Sequence, residues 1–253
     1  MALHVAPALS RVGSFVSMSA GSFRAIFRRP FAFQEYLEQT VFIASVTILP
    51  AIFVTIPFTV VVQFYINQLL AEIGATDLAG AGAGFAVIQE LGPFCSVLVV
   101  AGAGATAVCA DLGSRKIREE LDAMETLGLD PLHRLVAPRI LAFVTVSMGL
   151  YGVVAVVGLV GTYIFSVLVG GASPGLFVSN LTLVTGGFEF LVSLIKTAIF
   201  GLTAALVACY LGLNAKGGPK GVGEAVNQTV VVTLMVLLVI NSAVTTIYLQ
   251  LGG

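Results

Sequence analysis

The chain has 253 residues, of which 58% are apolar and only 10% are charged, and its net charge is −1 at pH 7. Soluble domains have about a quarter of their residues charged, so this composition excludes an ordinary soluble protein. The near-neutral balance also excludes nucleic-acid binding, because no basic stripe is present to neutralise phosphates. No Pro/Gly/Ser-rich linker or block of like charge divides the chain, which predicts one domain over residues 1–253.

The N-terminal segment, at about residues 8–32, has apolar residues at helical spacing, whereas Arg24 and Arg28 lie off that stripe. The pattern predicts an amphipathic helix lying in the membrane interface, with a partly ordered tail as the alternative. Scattered arginines stand in place of a short hydrophobic core and a cleavage site, so a cleaved signal peptide is not expected. The apolar stripe consists of Val12, Phe15, Val16, Phe23, Ile26 and Phe27.

Five apolar stretches follow, each long enough to cross a hydrocarbon core of about 30 Å as a helix. Backbone amides in lipid must be satisfied within a helix or a closed barrel, and these stretches lack the two-residue alternation of barrel strands. The predicted fold class is therefore an all-α membrane protein, with kinks expected at Pro50, Pro57 and Pro93. The predicted spans are about 41–66, 85–110, 140–169, 188–213 and 226–249.

The distribution of Lys and Arg predicts the orientation of these spans. Basic residues precede the first span and occur between spans two and three and between spans four and five, whereas loops 67–84 and 170–187 have none. Because basic loops stay in the cytoplasm, we expect a multi-pass protein of the inner (plasma) membrane with a cytoplasmic N-terminus and an extracytoplasmic C-terminus. Gly80, Gly82 and Gly84 predict a flexible outer loop before the second span.

The charged segment between spans two and three has the end signals of a helix. Ser114 is a suitable N-cap, and Gly128 followed by Pro131 predicts a stop, which gives a helix over about 115–127. Three charge pairs have i,i+4 spacing: Arg115 with Glu119, Lys116 with Glu120, and Arg118 with Asp122.

This predicted helix is amphipathic and acidic, which favours a protein partner over an anionic membrane surface, although a surface helix remains the alternative. Its apolar stripe and the charges beside it form a candidate docking surface for that partner. The candidate docking residues are Arg115, Ile117, Arg118, Glu119, Glu120, Leu121, Asp122, Met124 and Glu125.

Three charged residues, Glu90, Glu189 and Lys196, lie within or at the edge of predicted spans. An ionised side chain there costs a few kcal/mol unless it is paired or faces a wet cavity, so the three are candidate transport residues. Glu90 and Lys196 are predicted at comparable depth, where they could pair, and a purely structural ion pair is the alternative. Glu189 lies near the outer end of its span and could instead extend to the interface.

Motifs of nucleotide binding and catalysis are missing from the sequence. It contains no GxxxxGK[ST] or HExxH pattern and no GxSxG context, its only histidines are His4 and His133, and its three cysteines form no CxxC pair. We therefore predict no catalytic, cofactor-binding or metal-binding residues, and nucleotide energy would have to come from another subunit.

Several short motifs occur in a fixed order and together resemble the signature region of the MlaE/YrbE permease family. The match covers nearly the whole chain after the N-terminal helix. Lys196 and Phe200-Gly201 continue it into the fourth span, and Cys209 to Gly212 and Gly217-Gly218 follow. The earlier motifs are Glu90-Leu-Gly-Pro93, Ala101-Gly102, Asp111-Leu-Gly113, Glu119 to Ala123, Leu127 to Pro131 and Ala137 to Ala142.

The resemblance implies the permease subunit of an Mce-type ABC transporter for lipids such as fatty acids, sterols or phospholipids. It implies a second permease, a cytoplasmic ATPase dimer that binds ATP and Mg, and outer-face MCE-domain proteins, with residues 115–127 as the helix that couples to the ATPase. Ala103 stands where the family usually has Arg, and Glu120 where it usually has Gln. Both changes resemble the actinobacterial YrbE (A-type) branch, which implies a heterodimer.

A secondary transporter or channel that works without ATP is the alternative function. Such proteins usually have inverted repeats, discontinuous helices or acids along a path. Five spans with two charges at mid-depth fit that description poorly.

Overall fold

The computed structural model describes residues 5–250, and within that range every regular element is helical. Within these described residues, five helices are long and apolar enough to cross a membrane, which confirms the five predicted spans. They are longer than predicted, because polar residues extend them beyond the apolar stretches. We number the helices α1 (Val5–Ile26), α2 (Phe33–Glu72), α3 (Thr76–Ile117), α4 (Glu120–Thr126), α5 (Leu132–Leu168), α6 (Pro174–Val184), α7 (Gly187–Leu213) and α8 (Gly218–Gln250).

Helix α3 lies at the centre of the bundle, and α8 lies at its edge. In the most apolar stretch of α3, 61% of the residues are buried, against 11% in α8. The core forms where α3 packs on α5 and α7, around Leu112, Phe143 and Phe200. Helix α2 packs along α5 and continues through Pro50 and Pro57 as one helix.

Helix α3 is not uniformly α-helical. Residues Phe85–Leu91 and Val100–Ala105 form π-helical turns, and the first of these ends just before Pro93. The buried Tyr151 hydroxyl of α5 donates a hydrogen bond of 3.0 Å to the carbonyl of Ile88 in the first π turn. A side chain at residue 92 would collide with the Tyr151 ring, because its Cβ would lie 2.9 Å from a ring carbon. Glycine at this position therefore makes the contact possible. Because π turns often occur at functional sites, this turn is a candidate part of one.

The flexible loop predicted at Gly80, Gly82 and Gly84 is wrong, because residues Ala79–Gly84 are helical and packed. A Cβ on Gly80 would lie 1.9 Å from the carbonyl oxygen of Phe177 in α6. These glycines therefore serve close helix contact in place of flexibility. Helix α6 itself was not predicted, since its 11 residues are too few to span a membrane.

Helix α1 confirms a helix before the first span, although it ends at Ile26 and not near residue 32. Part of the predicted stripe packs on protein: the Phe15 ring meets Tyr210 of α7 edge-on, with centroids 5.4 Å apart. Val16 and Phe23 are exposed, as an interfacial helix requires. The side chain of Val12 lies outside the described residues, and the position of α1 in the interface stays a prediction.

Candidate functional site

The predicted helix over residues 115–127 is wrong as a single element. Helix α3 continues to Ile117, Glu119 has a left-handed backbone (φ 60°), and α4 begins at Glu120. Ser114 is not an N-cap, because it lies inside α3 and its hydroxyl donates to the Asp111 carbonyl at 2.8 Å. The turn directs Leu121 back onto the core, where it is only 4% exposed, and this burial favours a break over a continuous helix.

The turn at Glu119 also changes the ion pairs of this segment. The described ion pairs include none of the three predicted i,i+4 pairs, because the turn removes the regular helical spacing on which they depended. The observed pairs are Lys116 with Asp122 at 2.7 Å, Arg118 with Glu120 at 3.0 Å and Arg115 with Glu120 at 3.9 Å.

The predicted end of the segment is confirmed. Gly128 has φ 74°, its N–H donates to Glu125, and the N–H of Leu129 donates to Met124, which is a Schellman end. Leu127, just before this glycine, is 76% exposed.

The nine candidate docking residues divide into three groups, of which one consists of Arg115, Arg118 and Glu120, paired as described above. Leu121 and Met124 pack against the core and hold α4 in place, and Ile117 is half-buried at the end of α3. The outward face is acidic with one apolar residue, and sequence reasoning missed that residue. We define the α4 face as Glu119, Asp122, Glu125 and Leu127, all of which are exposed.

A buried charge cluster that the sequence analysis missed lies behind this segment. Arg139 of α5 is fully buried, and its Nη2 lies 2.5 Å from Asp111 of α3 and 3.5 Å from Glu35 of α2. Its Nη1 donates to the carbonyl of Leu135 at 3.2 Å, and Arg115 contacts Asp111 at 3.3 Å. We define Glu35, Asp111, Arg115 and Arg139 as the Arg139 cluster. It joins the ends of three spanning helices to the segment that carries α4.

The intramembrane candidates come together in one pocket of about 50 Å³ between α3, α7 and α8. We define Glu90, Glu189 and Lys196, with the other side chains that line it, as the Lys196 pocket. Glu90 lies in the first π turn of α3, and Glu189 and Lys196 lie on α7. The prediction that Glu90 and Lys196 approach each other from different spans is thus consistent with the geometry.

The predicted ion pair is not formed in the described part of the chain, where no Glu90–Lys196 contact within 4.0 Å occurs. Lys196 is only 4% exposed, and its Nζ donates to Thr245 Oγ1 of α8 at 2.8 Å. The Oε2 atom of Glu189 is buried and has no hydrogen-bond partner among the described residues. The pocket therefore holds charges of both signs whose hydrogen-bonding capacity is only partly used.

Residues 36–247 match the protein family described as Permease MlaE. The matched range includes Glu90, Glu189 and Lys196, the α4 segment and nearly all of the five spanning helices. The chain belongs to the MlaE permease family. It is accordingly an ABC transporter permease with five helices of membrane-spanning length, in agreement with the fold class and the family that the motifs predicted.

Similar proteins occur in bacteria and in a plant. A probable ABC transporter permease protein of Synechocystis is 30% identical over 197 residues, which cover 78% of this chain and 73% of the relative. The intermembrane phospholipid transport system permease protein MlaE of Haemophilus influenzae is 28% identical over 73% of this chain and 71% of its own. The chloroplastic protein trigalactosyldiacylglycerol 1 of Arabidopsis thaliana is 27% identical over 83% of this chain and 59% of its own.

The motifs that resemble this family now have positions in the fold. Glu90 to Pro93 contributes a charge to the Lys196 pocket and the glycine on which Tyr151 packs. Asp111 and Arg139, from two different motifs, meet in the Arg139 cluster. The sequence signal for that meeting was two opposite charges at the same ends of neighbouring spans.

Proposed function

We propose that this chain is the permease subunit of an ATP-driven, Mce-type ABC transporter that moves lipids across or out of the inner membrane. The observation that carries the proposal is the Lys196 pocket. A lysine buried between spans and bonded only to Thr245 in the described structure retains donors for an anionic group. A lipid phosphate or carboxylate supplies such a group, and the Haemophilus influenzae relative is named for phospholipid transport.

A second permease is part of the proposal. Helix α8 is mostly exposed, yet it carries Ser242 on its outside, and the amide oxygen of Asn241 is buried without a hydrogen-bond partner among the described residues. Polar groups are costly against lipid, so a protein neighbour on α8 is favoured. The resemblance of Ala103 and Glu120 to the A-type branch supports a non-identical partner, and hence a heterodimer.

The α4 face is the proposed docking surface for a cytoplasmic ATPase dimer, which would bind ATP and Mg. Its acids fit a basic partner better than an anionic leaflet, and Leu127 offers an exposed apolar contact at the end of α4. The Arg139 cluster would pass movement of this segment to α2 and α5. With α4 on the cytoplasmic side, the N-terminus is also cytoplasmic. Helix α6 then lies on the outer face, where MCE-domain proteins would bind.

Reconstitution in lipid vesicles tests the function. The permease pair with its ATPase should transfer a fluorescent lipid only when ATP and Mg are present, and Lys196→Met should reduce the transfer. Transfer without the ATPase would favour a secondary transporter or channel. Transfer that is unchanged in Lys196→Met, with the MCE proteins still bound, would favour a structural anchor.

A further inference from the structure

A second cavity lies at the end of the bundle that carries α4, between α1, α7 and α8. Tyr210, on its wall, is about 21 Å further along α7 than Lys196 at ~1.5 Å per residue, so the two cavities are separate. Beside this cavity, Gly113 of α3 packs closely against Val222 and Ala215. This contact joins α3 to the start of α8 at this end of the bundle. No step of the proposed transport uses it.

One part of the cavity is polar and has a volume of about 470 Å³. Its wall includes Lys216 and Glu224, one charge of each sign, together with the side-chain amides of Asn214 and Gln228. Lys216 and Glu224 are exposed, and none of the ion pairs formed within the described residues includes either of them. The wall therefore presents a cation and an anion to the same space.

The other part is an apolar groove of about 440 Å³ between α7 and α8. It is lined by Phe15, Val207, Val232 and Val236, and it shares Tyr210, Leu211 and Gln228 with the polar part. Phe15 of α1 closes one side through its edge contact with Tyr210. The charged chamber and the apolar groove along two spanning helices therefore adjoin each other at these shared residues.

We propose that this cavity binds one phospholipid with a zwitterionic headgroup from the leaflet at the α4 end. Lys216 contacts the phosphate, Glu224 contacts the ammonium group, and one acyl chain lies in the groove. Both volumes fall in the range of small-molecule sites, about 300–1,000 Å³. An anionic lipid without an amine would leave Glu224 facing like charge, and a sterol would leave both charges without a partner. The inference goes beyond the proposed transport and does not depend on it.

Photo-crosslinking in nanodiscs tests the site. The full-length protein is mixed with phosphatidylethanolamine that carries a diazirine on one acyl chain, and the labelled peptides are mapped by mass spectrometry. Labels are expected on the peptides that contain Phe15, Val207 and Val232. Lys216→Gln and Glu224→Gln should each lower the labelling by about fivefold, the upper range for one exposed ion pair. Val232→Trp should fill the groove and abolish the labelling.

Matched controls separate the site from its surroundings. Lys220→Gln removes an exposed lysine that does not line the cavity and should change nothing. Glu224→Gln should also remove the preference for phosphatidylethanolamine over phosphatidylglycerol. Lys196→Met should leave the labelling intact even if it stops transport, so that failure of the transport proposal is distinguishable from failure of this one.

Two results would overturn the inference. One is labelling that is equal for both lipids and unchanged when Lys216 and Glu224 are replaced together. The other is a photoreactive amino acid at position 232 that crosslinks to a second permease chain and not to lipid. Size-exclusion chromatography of each variant shows whether the protein is folded, and Glu224→Gln, at an exposed position, provides the variant least expected to misfold.

Discussion

Two groups of buried charges lie in the described part of this bundle, and they differ in whether the buried cation meets an opposite charge. In the Arg139 cluster a fully buried guanidinium meets carboxylates from two other helices and a backbone carbonyl, while its Nε has no hydrogen-bond partner among the described residues. In the Lys196 pocket the buried ammonium meets one hydroxyl, and a carboxylate oxygen of Glu189 has no partner among the described residues. A cation paired with carboxylates of neighbouring helices holds those helices together, whereas a buried cation without a counter-charge retains capacity for an anionic ligand. The positions of the two sites agree with these roles, because the Arg139 cluster joins helix ends and the Lys196 pocket lines a cavity.

The largest effect is expected from Arg139→Met. The change leaves Asp111 and Glu35 without their buried partner, and breaking such a pair costs about 3–5 kcal/mol. The two acids are partly exposed, so we expect the lower end of that range. Thermal unfolding of the detergent-purified protein measures it, with Arg118→Met as the exposed control. Equal midpoints of thermal unfolding for the two variants would show that the Arg139 cluster does not stabilise the fold.

Lys196→Met should have the opposite pattern, a loss of transport without a loss of stability. Lipid transfer should fall about tenfold or more, because a charged hydrogen bond to the ligand is worth about 1.5–3 kcal/mol. The unfolding midpoint should stay the same or rise, since an incompletely paired buried charge is removed. Vesicle transfer and thermal unfolding are measured on the same preparation. A fall in both quantities would place Lys196 with Arg139 as a structural residue.

A smaller effect is expected on the α4 face. Leu127→Asp should weaken co-purification of the ATPase by about tenfold, because an exposed apolar contact becomes a charge within an already acidic face. The midpoint of unfolding should not change. Leu121→Ala is the matched variant: it removes a buried side chain of α4 and should lower the midpoint as cavity-forming changes do. If Leu127→Asp left the ATPase bound, the docking surface would lie elsewhere.

The smallest effect is expected for the exposed pair between α3 and α4. Lys116 and Asp122 lie 2.7 Å apart, almost as close as Arg139 and Asp111, but both are in contact with solvent. Lys116→Gln should therefore cost no more than about 1 kcal/mol. A loss similar to that of Arg139→Met would mean that distance, and not burial, sets the strength of these pairs.

Hydropathy and charge in the sequence were sufficient for the five spans, because membrane thickness imposes a length that local composition reveals. The Gly128 stop was also predictable, since a left-handed glycine is a local signal. The break at Glu119 was not: local spacing favours one helix, and only the burial of Leu121 against distant residues explains the turn. The Arg139 cluster was missed for the same reason, because its members come from three helices far apart in sequence.

The candidate site was predicted in part. Glu90, Glu189 and Lys196 were singled out because each is a charge in an apolar span, and the fold brings all three to one pocket. That Lys196 bonds Thr245 and not Glu90 depends on the position of α8, which no local pattern indicates. Leu127 was overlooked because an apolar residue beside a helix stop is usually read as part of the buried stripe.

Helix α3 extends over 42 residues and stays helical through its two π-helical segments, and at ~1.5 Å per residue its length is about 60 Å, or twice the hydrocarbon thickness. One end is clamped to α6 at Gly80, its middle carries Glu90, and its other end carries Asp111 and leads into α4. A protein bound to α6 and a protein bound to α4 would therefore act on the same helix from opposite sides of the membrane. Mechanical communication across the membrane then needs no chain of side chains, because a single backbone provides it.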